Sequence, residues 1–111
     1  MEKAKYYSKK DLILKPDVPG AKMWAVALEK TMLTYFEIQP ESIFDTHSHE
    51  SEQITMVLEG ELFFKIENQK DVCVKSNEVI AIPSNLKHSV YTKKKSVKAV
   101  DAWSPIRKEY K

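Results

Sequence analysis

At 111 residues the chain is long enough for one domain with its own hydrophobic core, without disulfides or a structural metal. Its net charge of +2 comes from interspersed acids and bases and carries no nucleic-acid footprint; one cysteine cannot close an internal disulfide, and no apolar run is long enough to cross a membrane. The opening Met-Glu-Lys-Ala-Lys-Tyr-Tyr lacks the apolar stretch of a secretory signal, so a cytoplasmic location is expected.

Residues 1–21 are polar, end in Pro16, Pro19 and Gly20, and read as an N-terminal arm able to pair with an edge strand of its own chain or of a partner. Residues 22–111 then form a single β domain. Short β-type runs recur with turn chemistry between them: Met23–Glu29, Met32–Ile38, Ile43–His49 and Gln53–Leu58. Glu59-Gly60 predicts a tight hairpin into Glu61–Glu67. Asp71–Lys75, Glu78–Ile82, Lys87–Thr92 and Val97–Ser104 complete the set, with at most a short helical turn after Pro105. No segment sustains a helical apolar period, so the fold class is all-β, a sandwich or barrel.

Several strands are apolar on both faces. Gln53, Thr55 and Val57 alternate with Ile54, Met56 and Leu58, so the second face needs a cover, either another sheet of the chain or a second copy in a homodimer. Cys73 reads as a half-buried strand residue and Lys93–Lys95 as a solvated turn; Trp24, Phe36, Phe63 and Phe64 read as core or interface. The pattern leaves the faces of Leu33 and Tyr35 open.

The chemistry concentrates in the three histidines. His47 and His49 stand two apart and share a face if they lie on one strand, and each offers a neutral nitrogen to a transition metal. A lone His-x-His occurs often by chance. Here Gln53 follows where a further ligand is needed, Gly60 closes the run, and His88 comes after Pro83-Ser-Asn85-Leu-Lys at the start of a later strand. Gln53 could instead be a plain polar strand residue with Glu50 or Glu52 as ligand; parity weighs against Glu52. On the last strand Val97, Ala99, Asp101 and Trp103 share the inner parity, while Lys98 points out. A carboxylate among apolar neighbours is costly unless paired or used chemically, and parity leaves Asp101 open to both readings.

The two stretches resemble the paired motifs of the cupin superfamily: His-x-His, three residues, Glu or Gln, six residues, Gly, and later Pro-x-Gly-x-x-His. The resemblance spans about Lys22 to Ser104 and implies a cupin double-stranded β-helix, a jelly-roll barrel holding one divalent transition metal ion (zinc, nickel, manganese or iron) on His47, His49, Gln53 and His88. The sequence departs from the pattern at its glycines: Glu41 and Ser42 stand before the first motif where glycine is usual, and Asn77 and Asn85 replace two glycines of the second. Asparagine is the side chain that best tolerates a left-handed backbone. Thr92 stands where asparagine is frequent.

Asp101-Ala-Trp-Ser-Pro-Ile-Arg107-Lys-Glu-Tyr110 is similar to the C-terminal signature of pectin-degradation (KdgF-type) cupins, which also carry glutamine in the first motif. That resemblance implies ketonisation of 4,5-unsaturated uronates, with Asp101 moving a proton, Trp103 shaping the sugar pocket and Arg107 pairing with a carboxylate. Arg107 is the only arginine in the chain, which fits a bidentate role that lysine cannot fill. The expected partner is a small sugar acid, with no nucleic acid and no membrane. Two other functions stay open: an iron-dependent dioxygenase of a small substrate, and a binding barrel without catalysis.

Overall fold

The computed structural model describes residues 3–111. Its strands are β1 (Lys15–Pro16), β2 (Ala21–Ala27), β3 (Met32–Ile38), β4 (Ile43–His47), β5 (Glu52–Glu59), β6 (Glu61–Ile66), β7 (Val72–Lys75), β8 (Val79–Ile82), β9 (His88–Tyr91) and β10 (Val97–Ser104). Two 3-10 turns, Lys9–Asp11 and Lys108–Tyr110, are the helical segments among the described residues; the second falls where the sequence predicts a turn after Pro105. Among the described residues no helix is long and apolar enough to cross a membrane.

The strands make a six-stranded sheet in the order β1-β2-β3-β10-β5-β8 and a four-stranded sheet in the order β4-β9-β6-β7. Every pairing is antiparallel. The fold is a jelly roll, with the apolar inner faces of the two sheets turned toward each other. Val57, Leu62, Phe64, Val74, Ile82 and Val97 form the centre of that core. Strict alternation produces it: β5 buries Gln53, Thr55 and Val57 and exposes Ile54, Met56 and Leu58, and β10 buries Val97, Ala99, Asp101 and Trp103.

One turn expectation fails. Glu59-Gly60 is not a hairpin, because β5 pairs with β10 and β8 while β6 pairs with β7 and β9. Gly60 is a corner where the chain passes from one sheet to the other. Its φ of 89° suits glycine, and a Cβ there would collide with the Ser96 carbonyl oxygen. Glycine is needed at this point, but sequence spacing could not say that the flanking strands part company. Asn77 (φ 69°) and Asn85 (φ 65°) adopt the left-handed backbone their chemistry predicts. Glu41, at a motif position usual for glycine, does the same at φ 56°, its N–H tied to the Lys93 carbonyl at 2.7 Å.

Part of the N-terminal segment is pinned to this chain's own edge, with Lys15 opposite Met23 and Pro16 opposite Lys22. Pro16 offers no N–H and so blunts the edge it creates. The outer face of the six-stranded sheet is apolar over two transverse rows. One runs Trp24, Tyr35, Val100, Met56, Val79 and the next Val26, Leu33, Ala102, Ile54, Ala81. Leu33 and Tyr35 therefore belong to the outside of the barrel, and Tyr35 stacks on Trp24 with ring centroids 5.5 Å apart. No element of the described chain covers this face.

Candidate metal centre and acid pocket

The three histidines arrive from different directions. His47 closes β4 and His88 opens β9, directly opposite each other across a bulge in the four-stranded sheet. His49 lies past the end of β4, in the loop leading to β5, so the two residues of the His-x-His pair do not share a strand. That loop is anchored twice: the Asn85 N–H donates to the His49 carbonyl at 2.8 Å, and the Ser51 hydroxyl donates to the Pro105 carbonyl at 2.5 Å. Gln53 comes from the inner face of β5 in the opposite sheet, while Glu50 and Glu52 are exposed.

The tautomers follow from the backbone. His47, His49 and His88 each direct Nδ1 to a carbonyl two residues away, at 2.9 Å (Asp45), 2.8 Å (Ser51) and 2.8 Å (Leu86). Each Nδ1 therefore carries the proton, and each Nε2 keeps its lone pair free, the arrangement that orients ligating imidazoles. One ligand atom from each ring lies within 4.8 Å of the others. Burial holds His49 below the ordinary histidine value and pushes His88 down to about 4, which keeps both rings neutral at pH 7.

Two details point to a cation. His88 Nε2 is buried with no hydrogen-bond partner among the described residues, an acceptor left unsatisfied at a real cost in free energy. Gln53 Oε1 lies 3.1 Å from His49 Nε2, and with the proton on His49 Nδ1 both atoms are acceptors. Facing lone pairs repel unless something positive lies between them. The Gln53 amide is held this way round because its NH2 group donates to Thr55 Oγ1 at 2.8 Å and reaches Asp101 Oδ1 at 3.4 Å. Three neutral imidazoles and one amide oxygen fit a divalent transition metal.

Asp101 sits beside this cluster, 5% exposed. In register it has Thr34 of β3 on one side and Thr55 of β5 on the other. The Thr34 hydroxyl donates to Oδ2 at 3.2 Å, the Thr55 hydroxyl makes a short bond to Oδ1, and Trp103 Nε1 donates in turn to Thr34 at 2.8 Å. Burial pushes the Asp101 carboxyl up to about 6, against the opposing pull of those donors. The sequence pattern places Thr55 on the Gln53 face but gives no reason to link it to Asp101, and it carries no signal for Thr34. Strand pairing alone aligns this row.

His47, Gln53, His88, Asp101, Trp103 and Arg107 border one cavity of about 670 Å³ inside the barrel. Its deeper wall is apolar, built from Phe36, Phe44, Leu62, Phe64 and Val90. Trp103 is nearly buried and meets His49 edge-on at 5.2 Å between ring centroids, so it backs the histidine as well as the cavity. The Arg107 guanidinium lies 5.0 Å from the Trp103 ring centre and 4.7 Å from that of Tyr110. Its Nη2 pairs with Glu109 at 2.7 Å and its Nη1 donates to the Tyr110 hydroxyl at 3.3 Å. The 3-10 turn at Lys108–Tyr110 folds these partners back onto it.

A jelly roll of two antiparallel sheets, with a three-histidine cluster able to hold a metal ion at the edge of an internal cavity, defines the class. The chain belongs to the cupin family: the family model described as "Cupin domain" matches residues 34–103. Among solved structures it is similar to KdgF from Halomonas sp., with a TM-score of 0.85 at 18% identity over 95% of this chain and 98% of that one. It is likewise similar to an RmlC-like cupin from Shewanella frigidimarina NCIMB 400, with a TM-score of 0.87 at 16% identity over the full length of both. The polyketide cyclase RemF from Streptomyces resistomycificus aligns with a TM-score of 0.78 at 21% identity, over 95% of this chain and 81% of that one. No curated protein matches by sequence.

Proposed function

We propose that this chain is a metal-dependent enzyme that relocates a proton on a small acid, with ketonisation of 4,5-unsaturated uronates as its reaction. The observation that carries this reading is a cluster of three imidazoles with Gln53 Oε1 beside a buried carboxyl, Asp101, of which His47, His88, Gln53 and Asp101 border one cavity. A divalent ion on those four groups would supply Lewis acidity toward an enol or carbonyl oxygen, undiminished because every donor is neutral. Ketonisation moves one proton from the anomeric hydroxyl to C4: the C1–O5 bond breaks, C1 becomes an aldehyde and C5 a ketone, with no change in composition. Asp101, its carboxyl pushed up to about 6, exchanges a proton close to neutral pH. Thr34 and Thr55 hold that carboxyl in place, and Arg107, fixed against two rings, pairs with the acid's own carboxylate. The likeness to KdgF supports the choice of substrate as an analogy of fold.

The test is loss of the conjugated ultraviolet absorbance of an unsaturated galacturonate on adding metal-loaded protein. Asp101→Asn is expected to slow it by roughly a hundredfold to ten-thousandfold while metal content stays unchanged. Full activity in that variant rejects the assignment of Asp101. Tight binding of a small acid without turnover, indifferent to Asp101→Asn, identifies a binding barrel instead.

The apolar inner wall favours a second reading, an iron-dependent dioxygenase of a small, weakly hydroxylated substrate such as a diketone. Oxygen uptake by iron-loaded protein and none by zinc-loaded protein would select it.

We also infer that a second copy of the chain covers the outer face of the six-stranded sheet. The two apolar rows are bordered by a row of alternating charge, Lys22, Glu37, Lys98 and Glu59. A row of alternating sign is complementary to its own two-fold image, which suits an isologous contact.

A further inference from the structure

Arg107 is the group that the proposed function gives to the ligand's carboxylate, yet in the folded chain its two terminal nitrogens already have acceptors. Glu109 Oε2 stands 2.7 Å from Nη2 and the Tyr110 hydroxyl oxygen 3.3 Å from Nη1. Together they imitate the two oxygens of a carboxylate on an arginine fork. The two sides of the pair differ in freedom. The Arg107 side chain is 14% exposed and packed against the rings of Trp103 and Tyr110, whereas the Glu109 side chain is 59% exposed. Glu109 can swing into water at little cost, but Arg107 cannot follow it. Both residues border the same cavity as His47, Gln53, His88 and Asp101.

We propose that Glu109 is a specificity-determining residue: it occupies Arg107 until a ligand carboxylate displaces it, and so restricts the cavity to acids. An incoming carboxylate exchanges one charge-assisted hydrogen bond for another, and Glu109 regains its hydration. A neutral ligand that pushed Glu109 aside would leave a largely buried guanidinium without a counter-charge, which is costly. Selection thus comes from the penalty on the wrong ligand as well as the contact with the right one. This inference rests on the reading of Arg107 as a carboxylate partner, but not on any turnover.

The probe is D-galacturonate, which carries the carboxylate but no enol to react, with D-galactose as its neutral counterpart. Binding to metal-loaded protein is followed by calorimetry and by the fluorescence of the two tryptophans. Glu109→Gln removes the competing charge and should tighten galacturonate binding about three- to fivefold, the scale of a partly exposed ion pair, and galactose, which no longer has to break the Arg107–Glu109 pair, should gain by a similar factor. In an Arg107→Met background the same Glu109→Gln change should have no effect. If Glu109 merely braces Arg107, Glu109→Gln weakens galacturonate binding, the opposite sign, and the proposal fails. Absence of saturable galacturonate binding to either protein also overturns it. Tighter binding without ketonisation would keep this inference and reject the proposed reaction; ketonisation with weaker binding would do the reverse.

Discussion

Asp101→Asn should make the metal-free protein more stable at neutral pH while removing its proton carrier. Burial raises the Asp101 carboxyl from 3.8 to about 6. At about 1.4 kcal/mol for each pH unit, that disfavours the ionised form by about 3 kcal/mol. Because the folded value lies above the unfolded one, the stability it contributes is full below about pH 4 and lost as pH rises through about 6. Asparagine has no proton to lose and escapes that loss. It incurs a smaller cost of its own: the Thr34 and Thr55 hydroxyls both donate to Asp101, and the amide's NH2 end forces one of them to turn away, at about 1 kcal/mol. The variant should therefore exceed the parent by about 2 kcal/mol near pH 7.5 and fall below it by less than about 1 kcal/mol near pH 4, where the unfolded aspartate is already about half ionised. Urea unfolding of chelator-treated protein at the two pH values measures the difference. Histidine protonation at the lower pH affects both proteins alike and cancels. A variant less stable than the parent at both pH values would refute the claim that burial of Asp101 is costly.

Two further outcomes test the site and the surface. His88→Ala removes the orphaned Nε2 from the cluster, so elemental analysis should find the bound metal largely lost, and added zinc should no longer raise the denaturation midpoint; unchanged metal content would place the ion elsewhere. Light scattering should give a homodimer, and Ile54→Lys with Met56→Lys should yield a folded monomer, since both side chains stand on the exposed apolar rows; a monomeric parent protein refutes the paired sheet.

How much was legible in the sequence depended on distance along the chain. Alternation on β5 and β10 is a local property of extended backbone, so the inner positions of Gln53, Asp101 and Trp103 could be read directly. The asparagines at 77 and 85 announced left-handed backbone for the same local reason. By contrast, the hairpin expected at Gly60 is a sheet-to-sheet corner, and His49 reaches the cluster from a loop and not from a shared strand face. A turn residue reports its own φ but not which strands its neighbours join.

From the sequence alone followed an all-β fold, for which residue type and parity suffice because they act over a few residues. The set of three histidines and one glutamine as a metal site followed from the resemblance of two motifs to those of cupins. Only the tertiary structure decided that His47 faces His88 across two strands, that Gln53 meets them from the opposite sheet, and that Thr34, Asp101 and Thr55 form one hydrogen-bonded row. Those meetings depend on strand register, which is set by burial of the whole core and not by any one segment. Arg107 and its two acceptors, gathered by the final 3-10 turn, owe their arrangement to the same packing against Trp103.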